Sequence, residues 1–388
     1  MKKALFSLIM AFITVPAFAV EFENGDFKAN IYGEIYGDAF YFNNHSSDTV
    51  TNTFGSQAFV GSSLLGVELS YGNVTGTFEA GLGDPVRRFF MTYRFGGNEN
   101  HYIIIGRDTN IATYSFGMVS NDLQSLNDLG TLADNRRLQV KYGINGFEIA
   151  VIMPSLGGGW NSDNTDDTGY KLSEVDADTD NALYTPFNVL PRVELGYTYT
   201  NDSLEFKVFG AYGAYMYSDN NKIASDKVFH SYNVGFGGQA NFGNSFLQFT
   251  GWYGMNLDLM DSLANYKSRV VSVNNTTKKM SIFLTNDDGK VNYDSQAENI
   301  QSAGAAIGLG HTFNDMFTPQ IGVGYTVNFG DGYVQMDDAL GTYLNCIIQI
   351  TDWFSITPEV AYIDYMQDSS GNKEGYEIRA GALAAVIF

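Results

Sequence analysis

The sequence is poor in cysteine, in proline and in positive charge. Cys346 is the only cysteine, which excludes a disulfide within the chain, and its strand neighbours Leu344 and Ile348 favour a small apolar filler over a nucleophile. Only 7 prolines occur in 388 residues. Lys and Arg number 22 against 43 Asp and Glu, which gives a formal net charge of −21.

Long apolar runs are also missing from most of the chain. After Val20 nothing approaches the ~20 apolar residues that a membrane-spanning helix needs. The preceding MKKALFSLIMAFITVPAFA has the form of an export signal, with two lysines, an apolar stretch and an Ala-Phe-Ala cleavage site. We predict a cleaved signal peptide over 1–19 and one mature domain over 20–388. Such an exported chain is either soluble or a β-barrel.

Aromatic residues and glycine are abundant. Gly numbers 42, Tyr 25 and Phe 29, while charged residues make up only 17%. The C-terminal run from Tyr376 to Phe388 alternates between one apolar face and one that turns polar toward its start. Strands with one apolar face, aromatic girdles and an end at Phe388 are typical of a membrane barrel, whose last strand pairs with its first.

About sixteen alternating segments are predicted as strands. They are 27–42, 57–71, 74–82, 87–95, 100–107, 136–143, 147–153, 191–200, 203–216, 229–242, 245–257, 299–313, 317–328, 339–350, 353–365 and 375–388. Tight turns alternate with longer polar loops at 43–56, 83–86, 108–135, 154–190, 217–228, 258–298, 329–338 and 366–374. This asymmetry predicts an all-β fold, a transmembrane antiparallel β-barrel, with both termini periplasmic.

Local motifs add a family resemblance. The stretches GVELSYGNVTGTFEAGL, RRFFMTYRF and HYIIIGRD look like porin strands two to five, and the signal, strand count, long third loop and terminal Phe388 fit the same pattern. The chain thus resembles the trimeric general porins of Gram-negative outer membranes. One departure is that TYSFGMVSNDLQSL stands where many porins have a Pro-Glu-Phe-Gly loop tip.

The resemblance implies that the third loop folds inward and constricts an aqueous lumen. That loop carries acidic residues and no base: Asp108, Asp122, Asp128 and Asp134. Strand parity turns a set of bases inward to face it: Arg88, Arg94, Arg107, Arg137, Lys141 and Arg192. Opposed acids and bases would select dipolar solutes at a pore constriction. Salt bridges that merely tether the loop are the alternative for each arginine.

Catalytic and metal motifs are not recognisable. The four histidines are scattered, and no Gly-x-Ser-x-Gly sequence occurs, so we expect no enzyme, no catalytic residue, no cofactor and no metal. The acidic loop 154–190 is either a solvated loop or a site for a divalent cation.

The sequence therefore predicts an outer-membrane porin for passive diffusion of small hydrophilic solutes and ions. The alternatives are a substrate-specific channel, a surface antigen or adhesin displayed on a barrel, or an outer-membrane hydrolase, which the missing triad disfavours. Expected partners are membrane lipids and two further copies of the chain, with no nucleic acid. A homotrimer would pack at small outward residues of the first and last strands: Ala29, Gly33, Gly37, Ala39, Ala380, Ala382 and Ala384. We expect weak cation selectivity that fades as salt rises.

Overall fold

A computed structural model describes most of the mature chain. The described residues are 20–45, 50–57, 61–117, 129–132, 135–153, 184–219, 222–223, 228–257, 299–330, 335–368 and 371–388. The predicted signal peptide lies outside these residues.

The described residues form nineteen strand segments, all paired in antiparallel fashion. They are β1 (Val20–Asn24), β2 (Phe27–His45), β3 (Val50–Gln57), β4 (Leu64–Tyr71), β5 (Val74–Gly81), β6 (Arg88–Arg94), β7 (His101–Thr109), β8 (Arg136–Ile144), β9 (Phe147–Ile152), β10 (Tyr184–Thr200), β11 (Leu204–Asp219), β12 (Lys222–Ile223), β13 (Phe229–Phe242), β14 (Ser245–Met255), β15 (Ile300–His311), β16 (Phe317–Gly330), β17 (Asp337–Thr351), β18 (Phe354–Asp364) and β19 (Tyr376–Ile387).

These segments close into a barrel of 16 strands. Successive strands pair as neighbours, and β19 pairs with β2 to complete the ring. Strands β3 and β4 count as one interrupted strand because they pair with different halves of β2. The short β1 extends the β19 side of β2, and β12 is a two-residue appendage of β11. The prediction of about sixteen strands is confirmed.

The outer wall is apolar, as the alternation predicts. On neighbouring strands Phe89, Met91 and Ile105 are 63%, 59% and 57% exposed. Their ladder partners share the same face because directly opposed residues of an antiparallel pair point to the same side. Such a wall is stable only against lipid. No helix among the described residues is long and apolar enough to cross a membrane.

Several strands are longer than the sequence suggests. The predicted loop 43–56 is mostly strand, since β2 continues to His45 and β3 returns from Val50. Polar side chains stabilise this extension, where Asn52 Oδ1 accepts from Asn43 at 2.6 Å and from the Tyr41 hydroxyl at 2.7 Å. Likewise β10 begins at Tyr184, inside the predicted loop 154–190.

The third loop, between β7 and β8, folds into the lumen as expected. Its described segments, 110–117 and 129–132, are largely buried against inward-facing wall residues. Gly130 donates from its backbone to Thr326 Oγ1 at 2.6 Å and accepts from Trp252 Nε1 at 3.0 Å. Phe116 and Leu129 join a buried cluster with residues of β15, β17 and β18, and Ala112 and Leu132 join another with residues of β11 and β14. The loop therefore packs on the β10–β18 side of the barrel.

Candidate functional site

The loop-bearing half of the inner wall is rich in glycine, and the loop lies on these glycines. A Cβ added at Gly196 would lie 2.5 Å from Ile111, and one at Gly237 would lie 2.5 Å from the Tyr114 ring. These distances are far below van der Waals contact, so any larger residue would displace the loop. The glycine-rich strands therefore form seats for particular loop side chains.

A buried carboxylate fixes the first part of the loop. Glu194 on β10 is completely buried and accepts backbone N–H bonds from Ile111 at 2.5 Å and Ala112 at 3.1 Å. Arg192 on the same strand pairs with the other oxygen of Glu194. The prediction that Arg192 faces inward is correct. In the structure Arg192 supports the carboxylate that holds the loop.

Asp108 is the centre of a second network. It is 2% exposed and lies on β7 rather than in the loop. Arg88 donates to Oδ1 at 2.8 Å, and Lys141 donates to Oδ2 at 2.9 Å. Arg88 also bonds Glu79 at 3.1 Å. Two predicted wall bases thus contact a predicted acid directly, and all three residues lie on wall strands, so this network neither tethers the loop nor holds opposite charges apart across the pore.

Two other predicted bases have clear positions. Arg137 lies directly opposite Asp108 in the β7–β8 register and faces inward with Gln139. Arg94 lines the lumen on β6 and donates to the Thr75 hydroxyl at 2.7 Å.

The inward placement of Arg107 is wrong. Arg107 lies opposite Phe89 and Leu138, both on the outer face, and it pairs with Asp84 at 2.6 Å. An inward Arg107 requires Tyr102, Ile104 and Gly106 to face lipid, because residues alternate along a strand. They face the lumen instead, where Tyr102 donates to Glu148 at 2.6 Å.

Three predicted constriction acids, Asp122, Asp128 and Asp134, lie outside the described residues, as does most of the acidic loop 154–190. Within the described part of the chain, no group of three or more potential metal ligands is placed to hold an ion.

The structure adds inward charges that the sequence analysis missed. Arg379 is 1% exposed, pairs with Glu377 and lies 5.7 Å from the Phe42 ring centroid. On β18, Glu359 accepts from Asn345 at 3.0 Å. Strand parity would have shown these residues as inward. Glu377 lies on the same strand as Arg379, whereas the contact of Glu359 with Asn345 joins neighbouring strands that only the register identifies.

Two carboxylates outside the loop-bearing wall, Glu34 on β2 and Glu148 on β9, have tyrosine partners. Glu148 accepts from Tyr102, and Glu34 accepts from Tyr36 at 2.8 Å. Neither has a basic partner within ion-pair distance among the described residues. The third loop itself carries a partly buried phenol beside an acid, and burial together with Glu205 raises the pKa of Tyr114.

Comparison with known proteins identifies the fold. No family model and no curated protein sequence matches the chain. Among solved structures, the outer-membrane channel DcaP of Acinetobacter baumannii is similar with a TM-score of 0.67 at 13% identity, over 96% of this chain and 100% of that one. OmpT of Vibrio cholerae, an outer-membrane protein, has a TM-score of 0.55 at 14% identity over 95% and 100%. An anion-selective porin of Comamonas acidovorans has a TM-score of 0.52 at 11% identity over 93% and 100%.

The fold and its lumen-facing loop define an architecture: a 16-strand β-barrel similar to those of outer-membrane channels and porins. The apolar outer wall agrees with a barrel that faces lipid.

Proposed function

We propose that the protein is a passive, water-filled channel for small hydrophilic solutes and ions. The observation that carries this proposal is the one-sided packing of the third loop. The loop lies on β10–β18, while the facing wall of β4–β7 carries a polar concavity lined by Thr, Tyr, Glu and Arg. A 16-strand barrel is too wide for its own side chains to fill.

Weak cation selectivity is part of this proposal. Several inward bases are already neutralised: Arg88 and Lys141 by Asp108, Arg192 by Glu194, and Arg379 by Glu377. Glu34 and Glu148 have only phenol partners in the described structure. These two carboxylates, which the sequence analysis did not count, support a cation preference.

The channel is also proposed to assemble as a homotrimer. The small outward residues predicted at the seam meet in the β19–β2 register, where Ala382 lies opposite Ala39 and Ala384 opposite Gly37. One similar structure, OmpT of Vibrio cholerae at 15% identity with a TM-score of 0.52, is described as a trimer form.

Single-channel recording in planar bilayers tests the function. Purified protein should give stable steps of conductance. Under a KCl gradient the reversal potential should be small, with the sign that indicates a preference for cations. That potential should shrink as salt rises from ~0.1 M, where the screening length is ~10 Å, to 1 M, where it is ~3 Å. A folded protein that inserts without conductance would favour a barrel that only displays loops.

A further inference from the structure

A polar cavity of about 420 Å³ lies on the inner face of β4–β7, near the rim with short turns. Its floor consists of three threonines, Thr75, Thr77 and Thr92, which are 4%, 5% and 7% exposed. The cavity is separate from the seats of the third loop, because none of its lining residues belongs to β10–β18.

Two tyrosines form rigid sides of this cavity. Tyr32 donates its hydroxyl to Glu79 at 2.9 Å, and Tyr102 donates to Glu148 at 2.6 Å. Charge-assisted hydrogen bonds of this kind fix the ring positions. The cavity is therefore preformed.

Arg94 presents an incompletely used guanidinium to the cavity. Its hydrogen bond goes to the neutral hydroxyl of Thr75, and no carboxylate of the described residues lies within ion-pair distance. An arginine has five N–H donors, so most of them remain available. Arg88 differs, because Asp108 and Glu79 already bind it.

Carboxylates line the same cavity at some distance from this guanidinium. Glu68 and Glu99 both border it, and neither forms an ion pair within the described structure. Glu68 lies directly opposite Thr77, whereas Arg94 binds Thr75. The Cα atoms of residues two apart on a strand are ~7 Å apart, so Glu68 and Arg94 approach different points of β5, and no ion pair joins them in the described structure.

We propose that this cavity is a subsite for small zwitterions whose ammonium and carboxylate are several bonds apart, such as a dipeptide. The carboxylate binds Arg94 and the ammonium binds Glu68, with the rings of Tyr32 and Tyr102 on either side. The nearby carboxylates would repel a simple anion, and the arginine would repel a simple cation. Neither would therefore bind as tightly as a zwitterion. This subsite rests on the proposed channel function.

Liposome swelling distinguishes the subsite from unselective diffusion. Proteoliposomes are exposed to low-millimolar gradients of glycylglycine, a zwitterion, or N-acetylglycinamide, its neutral analogue of nearly equal size. The wild-type protein should admit glycylglycine about twofold to fivefold faster, which corresponds to one solvent-exposed ion pair. The variants Arg94→Gln and Glu68→Gln should each bring the ratio of the two rates close to one.

The neutral rate and a distant variant serve as controls. Both charge variants should keep the wild-type rate for N-acetylglycinamide, and Arg107→Gln, on the outer face, should keep the wild-type ratio. Equal rates in the wild type, or a ratio that persists in both charge variants, would overturn the subsite while leaving a functional channel. No swelling with either solute would overturn the channel function and the subsite with it.

Discussion

The carboxylate of Glu194 accepts a hydrogen bond from the backbone N–H of Ile111 at 2.5 Å, with both residues almost completely buried. This contact joins the barrel wall to the start of the third loop. Hydrogen bonds to charged groups contribute ~1.5–3 kcal/mol each, so the two bonds of Glu194 matter for the loop position.

Removing this carboxylate should loosen the loop. In Glu194→Ala the backbone of Ile111 and Ala112 loses its acceptor, and Arg192 loses the carboxylate on its own strand. We expect a lower melting temperature and larger, noisier single-channel currents. Glu194→Gln keeps an acceptor oxygen and should lie between wild type and Ala. If the single-channel currents of Glu194→Ala were as small and as free of noise as those of the wild type, other contacts would be positioning the loop.

The seat of Tyr114 can be tested with a paired set of glycine variants. Gly237→Val places atoms where the Tyr114 ring lies, so the loop must move and the conductance should change. In Gly76→Val, by contrast, the new Cβ would meet only the Leu69 carbonyl at 4.0 Å, and the side chain would point outward, on the same face as Leu69. The two variants should differ both in single-channel conductance and in melting temperature. Identical behaviour would contradict the packing of Tyr114 on Gly237.

Asp108 should control ion selectivity by neutralising two bases. Asp108→Asn leaves Lys141 without its carboxylate and Arg88 with Glu79 alone. The expected result is a lower K⁺ to Cl⁻ permeability ratio, measured as a reversal potential at ~0.1 M salt, where screening still permits local charge to act. Asp84→Asn is the matched control, because its partner Arg107 faces outward. Equal ratios in the two variants would place Asp108 outside the ion path.

The proposed trimer would pack by close approach of two barrel walls at the β19–β2 seam, where Ala382 lies opposite Ala39. In such a trimer, Trp in place of Ala382 would stand between walls that meet through small side chains. We expect Ala382→Trp to release monomers on native gels in mild detergent. Leu309→Trp, on an exposed site of β15, should leave the trimer intact. Trimers that survive Ala382→Trp would place the interface elsewhere.

The period-two pattern was sufficient for most of the barrel because lipid outside and water inside impose opposite polarity on alternate residues. It failed in β7, where Ile103, Ile104 and Ile105 are all apolar and either parity fits the sequence. Ile104 faces the lumen and lines the threonine-floored cavity, so an apolar residue there does not indicate lipid. This single ambiguity misplaced Arg107.

The contacts between residues far apart in the sequence could not be predicted. Lys141 reaches Asp108 across 33 residues, and Trp252 reaches Gly130 across 122. Parity determines which side chains face inward, whereas partners depend on register and on the path of the third loop. The glycine seats had a visible signal, the density of glycine on β13–β17, but its meaning required the loop to be in place.

The pairing of β19 with β2 joins residues at opposite ends of the sequence: Asn44 and Glu377, which share a hydrogen bond, are 333 positions apart. This ladder therefore forms only after almost the whole chain is present, and its loop-closure entropy opposes folding until then. Before it forms, β2 and β19 are edges with unpaired N–H and C=O groups, which hydrocarbon does not tolerate. We therefore expect insertion into the bilayer to be coupled to the pairing of these two strands.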